Sequence, residues 1–137
     1  RIDVPVIVSG GLQSAEHARL AYEESAADAV MVARGSLGYP WIFEELTGRR
    51  SQQPEPAEII AELEWVLERG ERHWGEERAA RNLRKFYPWY LERLGVEGPA
   101  ADAFQRTERV SDVRAMLAEM PRSRLAAASQ GRLPASL

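Results

Sequence analysis

Two short glycine-bearing stretches hold the residues of this chain best suited to chemistry. Gly10 and Gly11 follow the apolar run Val4-Pro5-Val6-Ile7-Val8-Ser9, and Arg34 and Gly35 follow Ala29-Val30-Met31-Val32-Ala33. What such stretches offer is anion binding. Backbone N–H groups at a turn that leads into a helix have no partner inside that helix, so they are available to an incoming acceptor. A phosphate dianion needs several such donors and no bulky side chain in its way. Gly10, Gly11 and Gly35 leave the approach open, and Arg34 adds a charge-assisted donor. Gly-Gly after a strand also serves plain strand-to-helix turns, so either turn alone is open to that reading. The pair, separated by one helix and one strand and followed by another helix, favours a phosphate.

A second group of residues has chemistry of a different kind. Arg78, Arg81 and Lys85 recur at three- and four-residue spacing, with Arg84 beside them. A stripe of this sort can track a nucleic-acid backbone. Trp74, Tyr87, Trp89 and Tyr90 lie close by, and exposed aromatics stack on unpaired bases. The plainer alternative stays open: arginines on a helix form a solvated face paired with Glu76, Glu77 or Glu92, and aromatics in a small helical domain form its core. Trp41 and Phe43 read as packing residues. His17 reads as a surface residue, and His73 as a cation suited to a helix C-terminus. Glu58, Glu62 and Glu64 read as a solvated face rather than paired catalytic carboxylates. No spacing of His, Asp or Glu points to a metal.

The elements that position these residues follow from pattern. Residues 4–8 form a continuous apolar strand, as expected of a parallel strand covered on both faces, with Pro5 near its start. Ser14 caps a helix over residues 15–24, with Glu16 in its first turn and Ala18, Leu20, Ala21 and Tyr22 as its apolar positions. Residues 29–33 form the second strand, completing a βαβ unit. Pro40 sits in the next turn and residues 41–46 make a short helix. Residues 47–56, Thr-Gly-Arg-Arg-Ser-Gln-Gln-Pro-Glu-Pro, mark a domain boundary.

Everything after that reads as helical. Ile59, Ile60, Leu63, Val66 and Leu67 give a helix over 57–73, ended by Gly75. A second runs over 76–94, with Leu83, Phe86, Tyr90 and Leu94 inward and Pro88 kinking or splitting it. A shorter helix covers 101–106. Thr107 or Ser111 caps a last one carrying Val110, Val113, Leu117 and Met120, which Pro121 stops. Residues 122–137 have the composition of a disordered tail. The fold class expected is therefore an α/β barrel fragment, the last βαβ unit of a TIM barrel, followed by an all-α domain. Its parts are residues 1–48, a linker at 49–56 and helices over 57–121. A whole barrel needs about 250 residues, and a chain that opens on Arg1 straight into a strand reads as a piece of a longer protein.

Composition excludes several classes. With 0 cysteines among 137 residues, there is no disulfide framework, thiolate metal site or cysteine nucleophile here. No apolar run approaches the roughly 20 residues that span a bilayer, so no membrane partner is expected. The formal net charge of −3 gives no global pull toward nucleic acid, so any such contact depends on a local basic surface.

Taken together, the residues resemble a known family. Val4-Pro5-Val6-Ile7-Val8-Ser9-Gly10-Gly11, with Arg34-Gly35-Ser36-Leu37-Gly38-Tyr39-Pro40-Trp41-Ile42-Phe43, is similar to the end of the barrel in tRNA-dihydrouridine synthases. Arg72-His73-Trp74-Gly75-Glu76-Glu77, Leu83-Arg84-Lys85-Phe86 and Trp89-Tyr90-Leu91 resemble that family's C-terminal helical domain. The resemblance implies an FMN-dependent enzyme that reduces a uridine of tRNA to dihydrouridine, with NADPH as reductant. It implies that Ser9, Gly10, Gly11, Ala33 and Arg34 hold the FMN phosphate. It also turns the basic stripe Arg78, Arg81, Arg84 and Lys85 toward tRNA. A cytoplasmic monomer is expected.

The resemblance further implies that the family's catalytic cysteine lies upstream of Arg1, which leaves this chain inactive by itself and without a catalytic residue of its own. Five positions depart from the family's pattern. Ser9-Gly10-Gly11 stands for Asn-Gly-Asp, Ala33 for glycine, Tyr39 for asparagine and Phe86 for histidine. Two other readings compete: a different phosphate-binding barrel enzyme with a helical extension, and a non-catalytic RNA-binding module over residues 57–120.

Overall fold

A computed structural model describes residues 3–120. The expected tail over 122–137, and Pro121 as a helix stop, lie outside the described residues. The chain divides into two compact units, Arg1–Gln53 and Pro54–Leu137.

The first unit is built on a parallel pair of three-residue strands, β1 (Ile7–Ser9) and β2 (Ala29–Met31), in the register Ile7↔Ala29, Val8↔Val30 and Ser9↔Met31. Asp28 pins the start of the pair. Its carboxylate accepts from the Val6 amide at 2.8 Å, while its own amide donates back to the Val6 carbonyl at 2.9 Å. Both strands are shorter than the apolar runs that encode them. Nor is the first run covered on both faces: Ile7 is 60% exposed, and Met31 beside it 54%.

The helix between the strands, α1 (Ala15–Ser25), starts where Ser14 Oγ accepts from the His17 amide at 3.1 Å. It stops at Ala26, which sits in the left-handed region at φ +50°. Its buried stripe consists of the small residues Ala15 and Ala18, whereas Leu20 and Tyr22, expected inward, are exposed. A stripe of alanines brings the helix close and leaves the flanking large side chains nothing to cover. A single 3-10 turn (Arg34–Ser36) and α2 (Ile42–Leu46) follow. Ile42, Tyr39 and Ala15 form the local core, with Val32, Trp41 and Leu46 packed against it. The Tyr39 hydroxyl donates to the Glu45 carboxylate at 2.5 Å.

The second unit is helical among the described residues. Its spine is α3 (Pro56–Trp74), opened by a reciprocal capping box in which Glu55 and Glu58 each accept from the other's amide. Glu58 is therefore committed to the cap and is no plain surface charge. Ile59, Leu63 and Leu67 face inward at four-residue spacing and are followed by Gly70. A Cβ at Gly70 would stand 2.8 Å from Leu83 Cδ1, so glycine here permits the close approach of the next helix, α4 (Glu76–Leu83).

The pattern over 76–94 does split, and does so before Pro88. In an unbroken helix the Pro88 ring would strike the carbonyl of Arg84. The chain instead turns at 84–86 and restarts as α5 (Tyr87–Arg93), with Pro88 in the first turn, where its missing N–H costs nothing. The freed Arg84 carbonyl accepts from Gln105 Nε2 at 3.1 Å. Because of the restart, Tyr87 is fully buried and Phe86 only partly so. Burial pushes the Tyr87 phenol up to about 12.

The last two described helices are α6 (Pro99–Arg106) and α7 (Val110–Ala118). Neither Thr107 nor Ser111 caps α7. Arg109 occupies the cap position, and the Thr107 hydroxyl donates instead to the Phe104 carbonyl at 2.8 Å. The capping acceptor comes from another helix. Glu76, at the start of α4, accepts from the Ser111 amide at 3.2 Å and the Ser111 hydroxyl at 2.5 Å, and pairs with Arg109 at 2.8 Å. Glu71 and Arg114 add a second ion pair, at 2.8 Å, between α3 and α7.

Hydrogen bonds from Arg109 and Ser111 hold the Glu76 carboxyl down at about 2, against an ordinary 4.5. A depressed carboxyl stabilises the fold above its unfolded-state pKa, and that contribution is lost as pH falls through the folded-state value. The Glu76 cap is thus fully present above pH 4.5 and lost between there and pH 2. In urea unfolding at a series of pH values, Glu76→Gln should lower the midpoint at neutral pH and flatten the acid decline. Parallel acid declines in the two proteins would contradict this account of the α4–α7 tie.

Candidate functional site

The two glycine turns leave the strand pair at the same level, because Ser9 and Met31 are register partners. The Ser9 hydroxyl donates to the Met31 carbonyl at 3.3 Å, tying one strand end to the other. Beyond Ser9 the backbone passes through φ +117° at Gly10 and +65° at Gly11, a region that side chains resist. It then enters the Ser14 cap of α1. Beyond Met31 the chain enters the 3-10 turn, where the Ser36 amide and hydroxyl both donate to the Ala33 carbonyl, at 3.1 and 2.8 Å.

The turns also pack on each other. Gly35 is buried, and a Cβ built there would stand 2.3 Å from the Leu12 carbonyl oxygen and 3.0 Å from Gln13 Cα. Its lack of a side chain therefore serves the contact between the turns, and not the open approach expected of it. Phe43 differs from expectation too: it is 47% exposed, whereas Trp41 does pack on the local core.

Among the described residues, the amides of Gly11, Ala33 and Arg34 find no acceptor, whereas the Gly10 amide faces the Met31 carbonyl at the end of the ladder. Arg34 is exposed and makes no hydrogen bond or ion pair to another described residue. Unspent N–H donors on two touching turns, one of which carries an exposed arginine, are the kind of donor chemistry an anion requires. The Ser9 hydroxyl is already engaged, so what Ser9 offers a ligand is chiefly its position.

The basic residues of the second unit are not brought onto one face. Because α4 ends at Leu83, only Arg78 and Arg81 share a helix, and both are exposed. Lys85 lies beyond its end, its ammonium 5.1 Å from the centre of the Phe86 ring. Arg84 points inward, with Nε and Nη2 donating to the Thr107 carbonyl at 3.1 and 2.5 Å. Tyr87 and Tyr90 are buried, while Trp74 is exposed. Glu62 is half-buried, and desolvation raises its carboxyl pKa. No group of three His, Cys, Asp or Glu placed to hold a metal occurs among the described residues, and no helix there is long and apolar enough to cross a membrane.

A family model described as dihydrouridine synthase matches residues 1–128. The chain belongs to the dihydrouridine synthase family. It is 33% identical over 125 residues to tRNA-dihydrouridine synthase B of Pseudomonas aeruginosa, covering 87% of this chain and 36% of that protein. It is 34% identical over 99 residues to tRNA-dihydrouridine synthase B of Pasteurella multocida, covering 69% and 30%. It is 27% identical over 119 residues to a probable tRNA-dihydrouridine synthase of Mycobacterium leprae, covering 83% and 31%. The chain thus spans about a third of the length of the curated relatives it matches. Membership in the dihydrouridine synthase family makes the parallel pair and its glycine turns part of a β/α barrel.

The contact at Gly35 leaves no room for a methyl group, and the atom it would meet is backbone, which cannot swing aside. Gly35→Ala should cost about 3 kcal/mol, the upper range for overpacking. Urea unfolding measures it, and an unchanged midpoint would mean that the turns separate freely.

Proposed function

We propose that this chain is the C-terminal portion of a tRNA-dihydrouridine synthase, an oxidoreductase that reduces uridine in tRNA to 5,6-dihydrouridine with FMN and NADPH. The observation that carries the reading is the pair of touching turns, Ser9-Gly10-Gly11 and Ala33-Arg34, with unspent amides at Gly11, Ala33 and Arg34. Those residues, with Ser9 at the strand end, would hold the FMN phosphate. The fit is chemical: several N–H donors, a free guanidinium, and no carboxylate in either turn to repel a dianion. When bound, FMN supplies the hydride for the uracil ring. The residues of this chain anchor and orient. The turns fix the phosphate end, and the strand pair beneath them fixes the turns.

In this reading residues 1–48 belong to the flavin barrel, 49–56 form a linker, and 57–121 form the domain that carries tRNA. Arg78, Arg81 and Lys85 supply phosphate contacts, and Arg84 supports them through its tie to Thr107. The proton donor to uracil lies outside this chain, which has no cysteine. The protein works as a monomer in the cytoplasm, where it meets tRNA.

The full-length protein should purify yellow, with FMN bound. Arg34→Ala should weaken FMN retention by about 2 kcal/mol, roughly thirty-fold, as for loss of a charged hydrogen bond. Fluorescence titration of the apoprotein with FMN reads this directly, and an unchanged affinity removes Arg34 from the site. Reversing charge at Arg78 and Arg81 should weaken tRNA binding and reduce its salt dependence while FMN content stays constant. Filter binding at several salt concentrations is the measurement. Unaltered binding would assign these arginines to a solvated face.

A further inference from the structure

Exposed Trp74 sits at the corner where α3 ends and α4 begins, beside a groove of about 390 Å³. Besides the indole, the groove is lined by Gly75, Glu76, Glu77, Arg78 and Arg81. The depression is open to solvent, as a site that takes one face of a base would be. Trp74 is 39% exposed, although tryptophan is among the most apolar residues a surface can show. It is also braced. The His73 ring meets it edge-on, with centroids 5.2 Å apart and planes at 68°. A held aromatic face has less freedom to lose when a ligand stacks on it.

The charges around the groove are sorted. Glu76 is committed to Arg109 and Ser111, so its carboxylate is already satisfied. Glu77 makes no hydrogen bond to a described residue and remains an acceptor. Arg78 and Arg81 are exposed and carry no hydrogen bond or ion pair to another described residue. An aromatic plane, a free carboxylate acceptor and two free guanidinium groups match the three parts of a nucleotide. The plane takes the base, the acceptor takes an N–H of its edge, and the guanidinium groups take the flanking phosphates.

A second exposed tryptophan of the same unit shows what is special about this one. Trp65 lines another groove with Glu64, Glu68 and Arg114. Its ring is covered by Arg69, at 5.2 Å, and Arg114 is engaged with Glu71. That groove offers a masked ring and an excess of carboxylate, which a phosphate avoids.

We infer that Trp74, Arg78, Arg81 and Glu77 form a stacking site for one unpaired nucleotide of RNA. The inference rests on the proposed tRNA-facing role of this unit and adds a base-stacking residue to it. The site would engage a looped-out or single-stranded base and leave duplex RNA to backbone contacts alone.

The test uses the full-length, flavin-loaded protein with three probes: a short oligouridylate, a blunt RNA duplex and tRNA. Trp74→Ala should weaken oligouridylate binding roughly ten-fold, as for loss of one base–aromatic stack, and leave duplex binding unchanged. Trp74→Phe should recover most of the affinity. Oligouridylate should quench tryptophan emission in the wild type, and Trp74→Phe should abolish that quench. Because Trp74 is partly exposed, both variants should stay folded, Trp74→Ala melting lower than the wild type and Trp74→Phe close to it. If Trp74→Ala binds oligouridylate as the wild type does, while Arg81→Glu weakens tRNA binding, the stacking site is overturned and the tRNA-facing role survives. If the wild type binds none of the three RNAs, both readings fall. Equal losses on duplex and oligouridylate would also overturn the stacking site, because they would mark a general disturbance of the surface.

Discussion

The candidate phosphate site depends on one close approach: the backbone of Gly35 against the Leu12 carbonyl. Two parallel strands end level, but level ends alone do not bring the following turns together. They diverge unless something removes the side chain between them. Gly35 does so on one side, and on the other the Gly10-Gly11 backbone bends through positive φ to bring Leu12 into place. The amide donors left over are a consequence. A candidate anion site made this way would owe its donors to packing, set before any ligand arrives.

The helical unit rests on a similar economy of side chains. Gly70 lets α3 and α4 approach, and Glu76 at the head of α4 reaches across to cap α7. The same short stretch, residues 74–78, therefore ends one helix, starts the next, anchors a third and presents an indole to solvent.

Much of this was legible in the sequence. Ser14 as a cap, Gly75 as a stop and the inward positions Ile59, Leu63 and Leu67 follow from local rules that act within a few residues. Pro88 was legible as a break, because the clash with its own helix is local as well. What could not be read is what depends on a distant partner. The α7 cap comes from Glu76, more than thirty positions upstream, so a search for a capping hydroxyl at Thr107 or Ser111 looks in the wrong place. Gly35 stands out in the sequence as a glycine after a strand, but the carbonyl it accommodates belongs to another turn, which no local rule reveals. Leu20 and Tyr22 are apolar positions of α1 that nothing among the described residues covers, in a chain that spans about a third of its relatives' length.

Arg84 makes the same point about function. In the sequence it is indistinguishable from Arg78 and Arg81: three arginines at helical spacing, all plausible phosphate contacts. Folding separates them by where α4 stops. Arg84 falls in the turn forced by Pro88, where the Thr107 carbonyl claims its guanidinium, and its own carbonyl is claimed by Gln105. It becomes the peg that fixes α6 to the end of α4, while Arg78 and Arg81 keep their charge for the solvent side. A proline thus decides which member of a basic stripe becomes structure and which remain available to a partner. The stripe narrows to two arginines, and both line the groove beside Trp74, so positive charge and aromatic surface converge on one end of α4.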